Sequence, residues 1–232
     1  MVLFVLIVYF ALISTKKAEQ NKVWVGLSKE TAHQLGTPIS SLMAWMDLLE
    51  SSGVDSSLLS DMNKDVNRLS VIAERFSKIG SKPEMELIYV NEVLENATEY
   101  MRRRVSDKVL ITTHLPSDAE GAMVCLSLFE WVIENLCKNA VDAMNGEGRI
   151  DVYMTSEKQQ IYIDIKDTGK GIARKNFKTV FNPGYTTKKR GWGLGLTLAK
   201  RIIEDYHAGR IYVKDSEVGK GTTFRIELTR VV

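Results

Sequence analysis

Two cysteines, four prolines and three histidines are all that 232 residues hold of each type, and each shortage excludes something. Cys125 and Cys137 fall in one apolar stretch, so they make neither a disulfide framework nor the paired spacing of a zinc site, and a reducing cytosol suits them. Charge of either sign is also in short surplus. Lysine and arginine number 31 against 29 acidic residues, a net +2, which argues against a nucleic-acid partner because such a partner calls for a basic field. Long hydrophobic runs are scarce as well. The uncharged stretch "MVLFVLIVYFALI" at the start spans, as a helix, only about 20 Å against a hydrocarbon core of about 30 Å. Lys16, Lys17 and Lys22 follow it, the order found at the inner end of a membrane helix and not that of a signal peptide. Residues 1–14 are therefore expected to be the cytoplasmic end of a truncated transmembrane helix, with a further membrane region upstream of this chain.

What is present in quantity is apolar periodicity. Apolar or small residues recur in alternating steps of three and four at Trp24, Leu27, Thr31, Leu35, Leu42, Trp45 or Met46, and Leu49, which is a heptad seam. A turn "SSGVDSS" follows, with Asp55 or Ser56 suited to cap the next helix. A second seam then runs through Leu58 or Leu59, Met62, Val66, Leu69, Ala73, Phe76 and Ile79. Two such helices form an antiparallel hairpin, and a seam on each arm leaves apolar surface that pairing into a dimeric four-helix bundle would cover. The segment "IGSKPE" marks a boundary, giving a hairpin over residues 15–82 and a second domain over 83–232.

In that second domain strand-like pieces (87–90, 109–114, 148–155, 160–166, 210–214, 222–228) alternate with helical ones (91–104, 124–144, 196–206). The fold class expected is α+β: the helical hairpin followed by an α/β sandwich in which helices cover one face of a sheet. "IYIDIK" alternates strictly, placing Ile161, Ile163 and Ile165 on the buried face.

Four separated stretches of this domain read together as one nucleotide site. "ENLCKNAVDAM" sets Asn135 and Asn139 at i and i+4 on one helix face, where amide oxygens hold a hydrated magnesium ion and its phosphates. "DIKDTGKGI" ends a strand with Asp167, a carboxylate placed to accept from an adenine amino group, while Gly169 and Gly171 let the backbone approach the ring. "GWGLGLTLAKRI" puts Gly191, Gly193 and Gly195 ahead of a helix opened by Leu196, so bare amides face phosphate. "VGKGTTF" adds Gly219, Gly221 and Thr222 in a turn leading into the last strand. Between the second and third stretches lies "NFKTVFNPGYTTKKR", read as a movable lid whose Lys188, Lys189 and Arg190 meet phosphate. Neither a P-loop nor a dinucleotide fingerprint fits these glycines.

The histidines divide sharply against this background. His114 and His207 sit in a strand and near a helix end, where a structural role suffices. His33 lies about 200° around the first helix from the seam residue Thr31 and so points outwards, just ahead of Pro38, which removes an amide donor and loosens the helix near His33 and Gln34.

The chain resembles the sensor histidine kinases of two-component signalling over nearly everything after residue 15. Their phosphoacceptor motif looks like His-Glu/Asp-x-x-Thr/Asn-Pro, matched by His33, Thr37 and Pro38. Asn135 with Asn139, residues 167–171, Phe177 with Phe181, residues 191–195 and residues 219–221 match the asparagine, first glycine, phenylalanine, second and third glycine boxes. The resemblance implies a homodimer at the inner membrane with its catalytic part in the cytoplasm, an upstream membrane sensor region, ATP with Mg2+ as phosphoryl donor, and an aspartate of a response regulator receiver domain as final acceptor. The sequence departs from the family at Gln34, where relatives usually carry an acidic residue, and Glu30, one turn earlier, is the candidate to replace it. Asn135 stands where related ATPases place a hydrolytic carboxylate, which favours transfer over hydrolysis. Two alternatives remain open: a sensor acting mainly as a phosphatase, with Thr37 orienting a water, and a non-enzymatic ATP-binding dimeric scaffold.

Overall fold

The computed structural model describes the backbone of residues 1–81, 83–188 and 193–231, and the side chains of these apart from residues 2–24, Leu27, Ser56 and Leu58. The chain divides into two compact units, Met1–Pro83 and Glu84–Val232.

The first unit is a hairpin of α1 (Val2–Ser51) and α2 (Ser56–Gly80). The turn between them ends as the sequence suggests: Asp55 caps α2, its carboxylate accepting from the Ser57 amide at 2.8 Å. The buried seam is narrower than the periodicity predicts. Ile39, Met46, Val66 and Ala73 form one cluster with Leu35 packed against it, and Leu59 and Ile79 are buried as well. Leu42, Trp45, Leu49, Met62 and Leu69, all seam members by spacing, are exposed instead. At about 100° per residue, Leu42, Trp45 and Leu49 lie directly beside Leu35, Ile39 and Met46, so α1 carries an apolar arc of about 120° of which α2 covers half. Trp24, Leu27 and Leu58 lie outside the described side chains. Among the described residues no helix is long and apolar enough to cross a membrane. The expectation for residues 1–14 falls on side chains outside the described set.

The second unit is the expected α+β layer. Its main sheet has the order β2-β4-β5-β7-β6, from β2 (Val109–His114), β4 (Gly148–Glu157), β5 (Gln160–Asp167), β6 (Arg210–Glu217) and β7 (Gly221–Thr229). The β2–β4 pair is parallel and the other neighbours are antiparallel. Ile161, Ile163 and Ile165 are almost fully buried, as their alternation predicts. They pack beneath α4 (Leu126–Ala143), and α3 (Val90–Arg102) packs beside α4 and on β2; the buried stripes of the two helices include Leu94, Ala97, Phe129, Ile133 and Leu136. The opposite face is polar and self-paired: Asp164 takes two bonds from Arg225 (2.6 and 2.7 Å) and one from Lys214 (2.7 Å). Burial of Asp164 works against ionisation, but these cations win and hold its carboxyl below the usual range.

Two features depart from the sequence reading. A separate two-stranded sheet joins β1 (Glu86–Tyr89) to β3 (Gly121–Val124), a strand absent from the sequence reading, which assigns no element to 115–123 and starts a helix at 124. The last helix is α5 (Gly195–Arg201), and it passes into a π-helical turn, Ile202–Tyr206.

Candidate functional site

The sequence-predicted site residues fall into two sets, one on each unit. In the second unit, β5 delivers Asp167 to the C-terminal edge of the sheet. The Gly169 amide donates to its Oδ1 at 2.7 Å and the Thr222 amide of β7 donates too. Burial outweighs these two amides and holds the carboxyl above the usual carboxylate range, and among the described residues no cation pairs with it. A buried carboxylate served only by neutral donors is suited to a neutral, donating ligand such as an amino group. Gly171 beside it has φ +71° and lies against the Glu217 carbonyl, so both the backbone conformation and the lack of room exclude a side chain there.

Across the site α4 presents Asn135, Asn139 and Asp142 on one face, at steps of four and three. Asn135 meets the start of α5: a Cβ on Gly195 would stand 2.5 Å from Asn135 Oδ1. The same residue's Nδ2 is buried and finds no acceptor among the described residues. A buried amide donor left unpaired costs about 1–3 kcal/mol, and an oxyanion here would recover it. Gly193 has φ +65°, and its carbonyl accepts from the Gly184 amide at 3.2 Å, pinning together the two ends of the loop between them. Gly221 and Thr222 lie at the start of β7 against Asp167, and Leu196 is half-buried in α5. Gly191, Lys189 and Arg190 lie outside the described residues.

The lid is shorter than expected. Phe181 is buried, edge-to-face on Phe224 with centroids 6.1 Å apart, and its carbonyl accepts from Thr197 Oγ1 at 3.0 Å. The end of the aromatic first half of the predicted lid is therefore docked into the core through Val180 and Phe181, whose burial is favourable, while Phe177 is only partly buried. Only the part after it extends over the site. There Lys188 Nζ donates to Asn139 Oδ1 at 2.8 Å and to Asp142 Oδ2 at 2.5 Å, while Lys170 Nζ donates to Thr187 Oγ1 at 2.9 Å. Asp142 and Lys170 are contributors that the sequence reading missed. The i+3 spacing of Asp142 from Asn139 was the available signal.

The other set lies on α1. His33 is exposed, as its angle from the seam predicts, and so are Glu30, Gln34 and Thr37. Gln34 Nε2 donates to Glu30 Oε1 at 2.6 Å, so the i−4 pair that forms here is Glu30 with Gln34, and not Glu30 with His33. Pro38 sits inside a helix that continues through it. The Thr37 hydroxyl donates to the His33 carbonyl at 3.3 Å, one residue before the Gln34 carbonyl that Pro38 leaves without an amide donor. His207 has the structural role expected of it, though as a neutral ring: Nδ1 donates to the Ile202 carbonyl at 2.7 Å and Nε2 accepts from the Cys125 amide at 3.0 Å. His114 stacks on Tyr153 with centroids 4.4 Å apart.

This sandwich, with a carboxylate at the strand end, an asparagine face on α4 and a lid before α5, is that of a large ATPase class. Residues 125–231 match the family of histidine kinase-, DNA gyrase B- and HSP90-like ATPases. Beyond that match, the chain is similar along most of its length to proteins named as sporulation kinases and sensor histidine kinases. It is 26% identical to sporulation kinase A of Bacillus subtilis over 92% of this chain and 36% of that protein. It is also 26% identical to the sensor histidine kinase ZraS of Salmonella typhimurium, over 94% of this chain and 48% of that one. The chain thus spans about a third to a half of the curated relatives it matches. Among solved structures, full-length ShkA in complex with AMPPNP shares the fold with TM-score 0.67 at 19% identity, covering 89% of this chain and 46% of that one. The histidine kinase ThkA in complex with the response regulator TrrA shares it with TM-score 0.61 at 18% identity, covering 96% of this chain and 66% of that one.

Proposed function

We propose that this chain is the kinase core of a membrane sensor histidine kinase, which phosphorylates His33 from Mg-ATP and passes the phosphoryl group to an aspartate of a response regulator. The observation that carries the reading is Asp167, a buried carboxylate with no cation among the described residues, in the same unit as the Asn135 amide that is unpaired among them and the asparagine face of α4, on a chain that also displays an outward histidine before a helix proline. In this reading Asp167 accepts from the adenine amino group. Asn135 Nδ2 donates to a phosphate oxygen, and Asn139 Oδ1 is a metal ligand.

The residues present fit magnesium: two oxygens, from Asn139 and Asp142, already converge on one cation, the Lys188 ammonium. Bound there, Mg2+ supplies neutralisation of the phosphate charge. A neutral ring nitrogen of His33 attacks the γ-phosphorus in line; the bond from phosphorus to the β,γ-bridging oxygen breaks and ADP leaves. Gln34 accepts from the distal ring N–H and fixes the tautomer, but as an amide it takes no proton. A second copy of the hairpin covers the exposed half-arc and makes the homodimer. The apolar run followed by lysines supports an inner-membrane anchor with the catalytic part in the cytoplasm.

Labelling with γ-labelled ATP tests the reading. Wild type should acquire label that survives base and is lost in acid, and His33→Gln should lose all of it while ATP affinity stays unchanged. Persistent labelling of that variant refutes the assignment of His33. ATP binding with no label on either protein leaves the scaffold alternative.

A further inference from the structure

The contact between Lys188 and α4 has a consequence beyond lid closure. The ammonium sits between a neutral amide oxygen at 2.8 Å and a carboxylate oxygen at 2.5 Å, both from the last two turns of α4. That end of the helix carries a partial negative charge. α4 itself has no basic residue in its last turn to answer that charge. Asp142 adds a full negative charge, and its side chain is about half exposed, as is that of Lys188, so nothing buries the pair irreversibly. The cation that completes this helix end therefore comes from the lid. Lys170, at the first glycine turn, holds the neighbouring Thr187 and so keeps Lys188 within reach.

We propose that Asn139 and Asp142 together form one cation seat, that Lys188 occupies it before nucleotide arrives, and that Mg2+ and Lys188 compete for it. This rests on the nucleotide-site reading above and deepens it in two ways. Asp142 becomes part of the metal site, as an anionic group facing the ion or its waters. Lys188 becomes a stand-in for the metal, displaced from the seat when the ion takes its place, which couples metal arrival to movement of the lid. An exposed ion pair is a weak latch, so the competition should be modest and reversible, worth about 2- to 5-fold in affinity.

The test is calorimetric titration of ATP into the full chain, in excess Mg2+ and in EDTA, for wild type, Asp142→Asn and Lys188→Met. The quantity read is the ratio of ATP dissociation constants without and with metal. Asp142→Asn removes the anionic half of the seat, so the ratio should fall about 2- to 5-fold. Lys188→Met removes the competitor, so it should rise by a similar factor, while Lys188→Arg, which keeps a cation, should stay near wild type. Opposite signs from two partners of one ion pair are what competition requires. A ratio unchanged in both variants, or moved the same way in both, overturns the shared seat, since a purely structural pair would act alike from either side. If wild type binds no ATP under either condition, it is the nucleotide-site reading itself that fails. Circular dichroism of both variants checks that each is folded.

Discussion

The two units of this chain solve the same problem, burying apolar surface, to different extents. In residues 84–232 the isoleucine ladder of β5, the helix stripes above it and even the aromatic part of the lid are closed off within a single copy. In the hairpin, Leu42, Trp45, Leu49, Met62 and Leu69 stay exposed beside a covered seam. The sandwich also leaves apolar side chains such as Leu87, Leu110, Met123 and Val218 exposed, but its central core is closed. The exposed residues of the hairpin instead lie alongside its covered seam, as a face prepared for something else. A hydrophobic stripe contiguous with a core marks an interaction face. In the proposed homodimer that something is a second hairpin.

Trp45 offers the sharpest way to break the contrast, being the most exposed large side chain of the half-covered arc, at 63%. Trp45→Lys should weaken self-association by about 2 kcal/mol or more, roughly 30-fold or greater in the dimer dissociation constant, as loss of a central tryptophan anchor does elsewhere. Sedimentation equilibrium reads this directly. ATP affinity of the same variant should be unchanged, because the nucleotide-site residues all lie in the second unit and Trp45 in the first. An unchanged dissociation constant would show that the exposed arc is not the association face.

The converse experiment cuts the sandwich's ligand and spares the hairpin. Asp167→Asn should cost about 1–3 kcal/mol of ATP affinity, because an amide turns a donor towards a donor. Self-association should be untouched. The isosteric change also removes the buried carboxyl with its raised pKa, so the variant should not lose fold stability at neutral pH, where removing that burden is favourable. Loss of ATP binding together with unfolding would instead assign Asp167 to the core.

How much of this was legible in the sequence follows the same division. Strict alternation at Ile161, Ile163 and Ile165 announces a strand and its buried face, and the structure agrees, since period two has one geometric meaning. Asp55 as a cap was equally local and equally visible. The heptad seam was legible only as apolar spacing: spacing cannot say which half of the arc meets the other arm and which half meets another molecule. β3 is hidden because its four residues, GAMV, show no alternation of apolar and polar side chains, and its partner β1 lies more than thirty residues earlier in the chain. The extent of the lid is not legible because the sequence shows Phe177 and Phe181 between glycine turns but not the Phe224 ring on which Phe181 docks. Asp142 was passed over for a similar reason. Its role depends on a lysine 46 residues away, a distance no local pattern carries.

The smallest expected effect belongs to His207, and it acts on the sandwich alone. Burial is the main influence on its ring and lowers its pKa below the ordinary histidine value, although the bonds to Ile202 and Cys125 pull the other way. The Cys125 amide must donate to Nε2, so the folded ring is neutral with its proton on Nδ1, joining the end of the π-helical turn to the start of α4. Protonating Nε2 would remove that acceptor. The unfolded chain takes up a proton near pH 6.5 and the folded one resists, so the contribution of His207 is complete above about pH 6.5 and is lost as pH falls towards and through its lowered folded pKa. On the order of 1 kcal/mol should disappear for each unit of that shift. Asp167 works in the opposite sense, since a raised carboxyl pKa gains stability as pH falls. The experiment is therefore a difference: thermal unfolding of wild type and His207→Gln between about pH 7.5 and 5.5. Wild type should lose more stability over that range than the variant, the Asp167 contribution cancelling between them. Parallel curves would mean that the ring is not held neutral by the fold, and the staple between α4 and the π-helical turn would then have to be counted as packing against Phe129 alone.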